Sequence, residues 1–246
     1  MIALILAAGY GTRLYPLTRE TPKALLPVRG KPILGFLVEK LQEIAPPLKK
    51  IALVSNHPHF LKLKDWFSAL NLTLPWEVVD DGSTCDENRL GSMGDLSFGI
   101  RELSIDDDLL VLGSDNLLAD PLSDFLNFAR RKTPAVSLGA YELENSALAC
   151  RYGVLTVNGD GRILTMEEKP KVPASRLIST AVYFFPRTKL PLVLEYVGSR
   201  KSADTLGSFI HWFIDQGEIF AYKFRGPWFD IGDIHSYHQV EELFVP

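Results

Sequence analysis

Residues 6–34, LAAGYGTRLYPLTRETPKALLPVRGKPIL, decide how this chain begins to fold. They continue an apolar run from Ile2 that has no polar interruption, which reads as a fully buried first strand. Gly9 and Gly11 then break the run. Glycines allow a tight turn and expose backbone N–H groups that can cradle phosphate oxygens. Arg13 follows the turn at once, and Lys23 sits in a Pro-flanked loop instead of on a charged helix face. A planar Arg fork and a compact Lys charge beside such a turn suit a phosphate-bearing ligand. The loop is not a Walker sequence, because no Gly-Lys-Ser/Thr follows. Nor is it a dinucleotide fingerprint, because Leu14 stands where the third glycine is needed.

Outward from this segment, apolar runs alternate with helical periodicity. Strands are expected over 2–7, 51–55, 77–79 and 109–113. Leu34, Leu37, Val38 and Leu41 fall on one helical face after Pro32; Phe60, Leu63, Phe67 and Leu70 form a second face, and Leu96, Ile100 and Leu103 a third. Such alternation predicts a parallel sheet with helices on both faces. The second half is richer in strands, at 135–141, 153–157, 163–167, 178–185 and 219–224, with helices over 189–197 and 206–216 and from Ile234. Asn158-Gly159-Asp160-Gly161 is a hairpin turn signal. With no linker or repeat, the expectation is one α/β domain: Rossmann-like, with a mixed, mostly parallel central sheet.

The 246 residues suffice for a sizeable core; 46% are apolar and 23% charged, ordinary for a soluble enzyme. A net charge of -4 argues against a nucleic-acid partner. Cys85 and Cys150 are too few for a disulfide framework or zinc site; the opening apolar run is too short for a membrane span and lacks the basic leader of a signal peptide. A cytoplasmic protein without a membrane partner is expected, as a monomer or homo-oligomer. His57 and His59 read as surface imidazoles, as do His235 and His238. Trp66, Phe67, Trp212 and Phe213 read as core.

Gly-x-Gly-Thr-Arg-Leu, then Pro-Leu-Thr, Thr-Pro-Lys-Ala-Leu-Leu-Pro-Val and Gly-Lys-Pro, together resemble the signature of the sugar-1-phosphate nucleotidylyltransferases, or nucleotide-sugar pyrophosphorylases. The resemblance implies the nucleotide-diphospho-sugar transferase fold. It also implies a nucleotide-binding part over about 1–120 and a sugar-phosphate-binding part over about 121–246. No C-terminal β-helix is expected.

Nucleotidyl transfer builds charge on an α-phosphorus and on departing pyrophosphate, which Mg2+ held by one or two carboxylates can offset. Asp115, in Leu-Gly-Ser-Asp-Asn, and Asp230, in Trp-Phe-Asp-Ile-Gly-Asp, match the family's metal-binding aspartates by motif. With Arg13, Lys23 and Lys169 they form the expected catalytic set. Asp233 reads as a helix cap, and Trp228 as packing beneath Asp230. The resemblance places the nucleotide on Leu6, Ala7, Ala8, Gly9, Gly11, Thr12, Arg13, Lys23, Asp81, Asp86, Gly91 and Ser92. It places the sugar phosphate on Asn116, Gly153, Glu168, Lys169 and Thr180, with Glu168 on sugar hydroxyls and Lys169 neutralising the phosphate.

The implied reaction joins a nucleoside triphosphate to a sugar 1-phosphate and releases pyrophosphate. A carboxylate at Asp86 or Glu87, where many relatives carry Gln, suits the N4 amino group of cytosine or a ring N–H. Ala8, where thymidylyl and adenylyl members of the family often have glycine, leans toward uridine or cytidine; a pyrimidine triphosphate (UTP, CTP or dTTP) is favoured. Residues 78–87, VVDDGSTCDE, also resemble the nucleotide loop of glycosyltransferases. Three alternatives stay open on sequence: a sugar-nucleotide-dependent glycosyltransferase, a cytidylyltransferase acting on polyol or choline phosphate, and a non-catalytic regulatory relative.

Overall fold

A computed structural model describes residues 1–199 and 205–244. Strand β1 (Ile2–Ala7) leads through a glycine turn and two 3-10 turns, Thr12–Leu14 and Lys23–Leu25, to a minimal ribbon of β2 (Pro27–Val28) and β3 (Lys31–Pro32). Then come α1 (Ile33–Gln42), β4 (Lys50–Ser55), α2 (His57–Ala69), β5 (Trp76–Asp80), α3 (Gly91–Glu102) and β6 (Leu109–Gly113). The second half holds β7 (Asn116–Leu118), α4 (Leu122–Lys132), β8 (Val136–Glu142), β9 (Gly153–Val157), β10 (Ile163–Glu168) and β11 (Leu177–Phe185). It ends with α5 (Leu190–Gly198), α6 (Leu206–Phe213), β12 (Ile219–Lys223), β13 (Trp228–Asp230) and α7 (Ile234–Leu243).

β5, β4, β1 and β6 are parallel neighbours in that order. β11 then pairs antiparallel with β6 and carries β8 and β9 on its other side. The chain winds outward from β1 through β4 to β5, then returns to β6 on the other side of β1. That reversal creates a crevice at the carboxyl ends of β1 and β6, where open α/β sheets bind ligands.

The apolar run of β1 has a geometric cause. Ala3, Ile5 and Ala7 face a core shared with Leu34, Leu37, Val38 and Leu41 of α1. Leu4 faces the opposite core, with Met93, Leu96 and Ile100 of α3. Alternate side chains therefore bury on opposite sheet faces, and neither position tolerates a polar residue. A third cluster joins Leu14, Leu26, Val28, Ile33 and Phe36 to Leu117, Ile231, Val240 and Phe244. It fastens the loops carrying Arg13 and Lys23 to the C-terminal segment carrying Asp230.

The fold matches the expected mixed α/β domain. Two side-chain expectations are corrected. His59 is buried, 5% exposed, because it sits in the first turn of α2 facing inward; His57 is exposed, with Nδ1 2.6 Å from Asp80. Trp66 and Trp212 only border the cores that enclose Phe67 and Phe213. No helix among the described residues is long and apolar enough to cross a membrane.

Candidate active site

A cleft of about 820 Å³ opens at the ends of β1 and β6. The glycine turn forms one wall. Gly11 has φ 60°, and a Cβ there would lie 3.2 Å from Thr18, so glycine is required on both counts. Thr18 Oγ1 donates to the Gly11 carbonyl at 2.7 Å and pins the turn. Gly9 does not take a positive φ; a Cβ there would meet nothing within 4 Å, so its lack of a side chain leaves the wall open to a ligand. Asn56, fully buried, caps α2 by accepting from His59 N and donates its own amide to the Ala8 carbonyl at 3.0 Å. One side chain thus fixes a helix start and the entry to the turn.

Asp115 and Asp230 come together through two strands of only three residues each. β13 pairs antiparallel with β7, Asp230 opposite Asn116, and Ile231 N donates to the Asp115 carbonyl at 3.0 Å. Lys23 Nζ meets Asp115 Oδ2 at 2.7 Å. Asn116 donates to Asp115 Oδ1 at 2.8 Å and accepts from Trp228 Nε1 at 2.7 Å. Trp228, packed against Tyr141 and Tyr152, therefore orients Asn116 and through it Asp115.

Burial opposes ionisation of Asp115, but the charge and hydrogen bond of Lys23 outweigh it and hold the carboxyl below its usual range. Asp230 goes the other way. Burial and the neighbouring Asp115 charge raise it to about 7 against the opposing charges of Lys23, Arg13 and Lys169. Two carboxylates that repel across a half-buried gap fit a divalent cation, which would offset the repulsion and take its remaining ligands from substrate phosphates. Among the described residues no group of three His, Cys, Asp or Glu comes together.

Every residue expected to bind nucleotide or sugar phosphate lines the cleft except Asp81. Its carboxylate turns away to accept from the N–H and hydroxyl of Ser83, both at 2.7 Å, because the Asp-Gly-Ser turn folds back on itself. Asp86 lines the cleft in an ion pair with Arg89. Asn116 uses one N–H on Asp115 and one lone pair on Trp228, which ties the two side chains together. Thr180 lines the cleft with its hydroxyl buried and unpartnered.

Lys169 takes φ 48°, lies 3.6 Å from Glu168 and is 60% exposed in its side chain. Glu168 approaches Gly207 so closely that a Cβ there would collide with its Oε2, and a Cβ on Gly153 would lie 3.3 Å from the same atom. Asp233 caps α7 as expected, accepting from Ser236 N at 2.8 Å. Sequence reasoning missed Arg89, Arg151, Tyr10 and Asp95, all on the cleft wall. Isolated Arg residues in loops carry no signal of their own, and Asp95 reads as an ordinary polar position on a helix.

The family profile described as nucleotidyl transferase matches residues 2–244. A UTP--glucose-1-phosphate uridylyltransferase of Synechocystis sp. is 30% identical over 98% of this chain and is covered to 62% of its length. A Sulfolobus acidocaldarius protein provisionally named a mannose-1-phosphate guanyltransferase is 30% identical over 97% of this chain and is covered to 61%. The chain thus spans about three-fifths of these relatives. A UDP-glucose pyrophosphorylase complexed with UDP-glucose superposes with a TM-score of 0.81 at 22% identity, over 98% of this chain and 97% of that one, a likeness of fold.

Proposed function

The chain belongs to the nucleotidyl transferase family, and on that premise we propose that its cleft joins a nucleoside triphosphate to a sugar 1-phosphate, releasing pyrophosphate. The observation that carries the reading is the adjacency of Asp115 and Asp230 on paired strands, with Lys23 bonded to one and Arg13 beside the other. Arg13 approaches the same spot from the glycine turn: a Cβ on Gly232 would lie 3.2 Å from Asp230 Oδ2 and 3.6 Å from the Arg13 guanidinium.

The nucleophile is an oxygen of the sugar 1-phosphate, attacking the α-phosphorus in line with the leaving pyrophosphate. A phosphate monoester has its second pKa near ~6, so it is ionised at neutral pH and needs no general base. The work left for the chain is positioning and charge neutralisation. Backbone N–H groups of residues 9–13 and the Arg13 guanidinium hold the triphosphate. Lys169 receives the sugar phosphate, and Glu168 accepts from sugar hydroxyls. Asp115 and Asp230 would hold Mg2+, which when bound supplies positive charge to the α-phosphate and pyrophosphate oxygens.

At the base end, Ala8, Asp86, Arg89, Gly91 and Ser92 line the wall. We favour a pyrimidine, since Arg89 offers donors to uracil carbonyl oxygens and uridylyl transfer is what the Synechocystis relative is named for. The test is pyrophosphate release with UTP, CTP, dTTP, ATP and GTP against a panel of sugar and polyol phosphates with Mg2+. Turnover with a pyrimidine triphosphate is expected. Purine-only turnover overturns the base, and nucleoside diphosphate release from a nucleotide sugar would establish the glycosyltransferase alternative instead.

A further inference from the structure

Behind the base end lies a polar chain that the proposed chemistry leaves unused. Asp95, on the second turn of α3, is 6% exposed and lines the cleft. Its Oδ1 is buried without a partner, and so is Oδ2 of Asp81. The other oxygen of Asp81 holds Ser83 through two hydrogen bonds, and the Tyr10 hydroxyl donates to Ser83 Oγ at 3.1 Å. Tyr10 lies between Gly9 and Gly11 in the glycine turn. Asp95 lies within hydrogen-bonding reach of Asp81, so a path runs from α3, through the two carboxyls and Ser83, to the loop that would carry the triphosphate.

Two buried acceptor oxygens without donors are costly, and two adjacent carboxylates more so. One proton shared between them resolves both. We propose that Asp81 and Asp95 hold a single proton between their two unpartnered oxygens, and that this pair is a positioning device that keeps Ser83 and Tyr10, and hence the glycine turn, in the shape that binds a nucleoside triphosphate. The inference rests on reading the cleft as a nucleotidyl-transfer site.

The surroundings support it. Burial, then the charge and hydrogen bond of Asp81, raise Asp95 to about 8. Tyr10 is raised by burial, with Asp81, Cys85 and Asp86 adding to the effect and the Ser83 hydrogen bond opposing it, so it stays a donor through this range. α3 packs on β1, β4, α5 and α6. β1 has no titratable side chain, and the one on β4, Lys50, sits at its first residue, bonded to Glu77 at 2.6 Å. α5 brings Glu195 and Tyr196, and α6 brings His211, whose Nδ1 meets the Met166 carbonyl at 2.9 Å. Among the described residues none of these groups is bonded to the two unpartnered oxygens, and a shared proton is what relieves their repulsion.

Loss of the proton leaves two like charges in contact, and the loop should loosen. The experiment measures binding of UTP, CTP, GTP and ATP with Mg2+ from pH 6 to 9 and follows the tightest in three proteins. Wild type should hold its Kd to about pH 7 and weaken about tenfold by pH 9. Asp95→Asn keeps an N–H for Asp81 and cannot ionise, so its Kd should stay flat. Asp95→Ala removes the donor and should bind weakly at every pH, with its fold checked by circular dichroism. A flat wild-type Kd, or an Asp95→Asn variant that weakens in parallel, overturns the proposal and leaves the nucleotidyl reading standing. Absence of triphosphate binding at pH 7 overturns both. A 13C carboxyl signal lost in Asp95→Asn but already ionised at pH 7 in wild type overturns the shared proton directly.

Discussion

The two ends of the cleft are built differently. At the proposed nucleotide end the groups are already bonded to one another: Lys23, 14% exposed in its side chain, to Asp115; Thr18 to the Gly11 carbonyl; Asn56 to the Ala8 carbonyl. At the sugar-phosphate end the charges stand loose. Lys169 lies 3.6 Å from Glu168 at 60% exposure, and Arg151 4.0 Å from Asp233 at 59%. Surface pairs of this kind contribute little to stability. The proposed nucleotide end is therefore set by folding, whereas the charges at the proposed sugar-phosphate end are held by no such bonds. Preorganised charge does the most for catalysis, because it needs no rearrangement as the reaction proceeds.

The sharpest break of this comparison is at the carboxylate pair. Asp115→Ala and Asp230→Ala are each expected to lower pyrophosphate release by roughly a hundredfold or more, the scale of losing one preorganised electrostatic group. Wild-type turnover in both would remove the metal assignment. Next in size is Lys169→Ala. It should raise KM for the sugar phosphate by about tenfold, as for loss of one charge-assisted contact, and leave triphosphate KM unmoved. A shift in both constants would mean that the two ends are one coupled site.

Much of this asymmetry could be read from the sequence, and for a physical reason. The parallel strands are continuous apolar runs ended by glycine or aspartate, so β1 and β6 were expected with the bounds observed. The glycine turn and its cations lie within one short segment, where spacing is informative. The convergence of Asp115 with Asp230 depends instead on β7 and β13, three residues each, too short to show periodicity. Only the family resemblance joined them. Asp81 read as a ligand because its Asp-Gly-Ser turn looks like a nucleotide loop, yet one of its carboxylate oxygens is taken up by Ser83 within the turn and the other is buried away from the cleft. Asp95 was invisible because burial, not residue type, makes it unusual.

That burial gives a prediction of intermediate size. A carboxyl raised from 3.8 to about 8 by folding is bound to its proton more tightly in the native state than in the unfolded chain. Stability from this group is present below pH about 4, falls as the unfolded chain releases its proton, and levels off above about 8. Asp95→Asn lacks that loss. In urea titrations its stability relative to wild type should rise by a few kcal/mol between pH 5 and pH 8. Parallel curves would mean that the nucleotide end is not set by a buried acid pair.

The smallest expected effect tests the sugar end. β11 slips register between Ser179 and Tyr183, and Ala181 within that irregularity takes φ 55°, a left-handed conformation that costs an alanine about 1 kcal/mol. Ala181 lines the cleft, and its methyl would lie 3.1 Å from a Cβ placed on Gly113, so it crowds the wall beside Asp115. Ala181→Gly removes the strain, while the added freedom of glycine in the unfolded chain cancels part of the gain. A net stabilisation of about 0.5 kcal/mol is expected, read as a higher urea midpoint at unchanged m. Gly11→Ala, at a similar φ but against Thr18, should destabilise by more than this. If both substitutions shift stability by the same small amount, the glycine turn is no more rigidly held than the bulged strand, and the contrast between the two ends disappears.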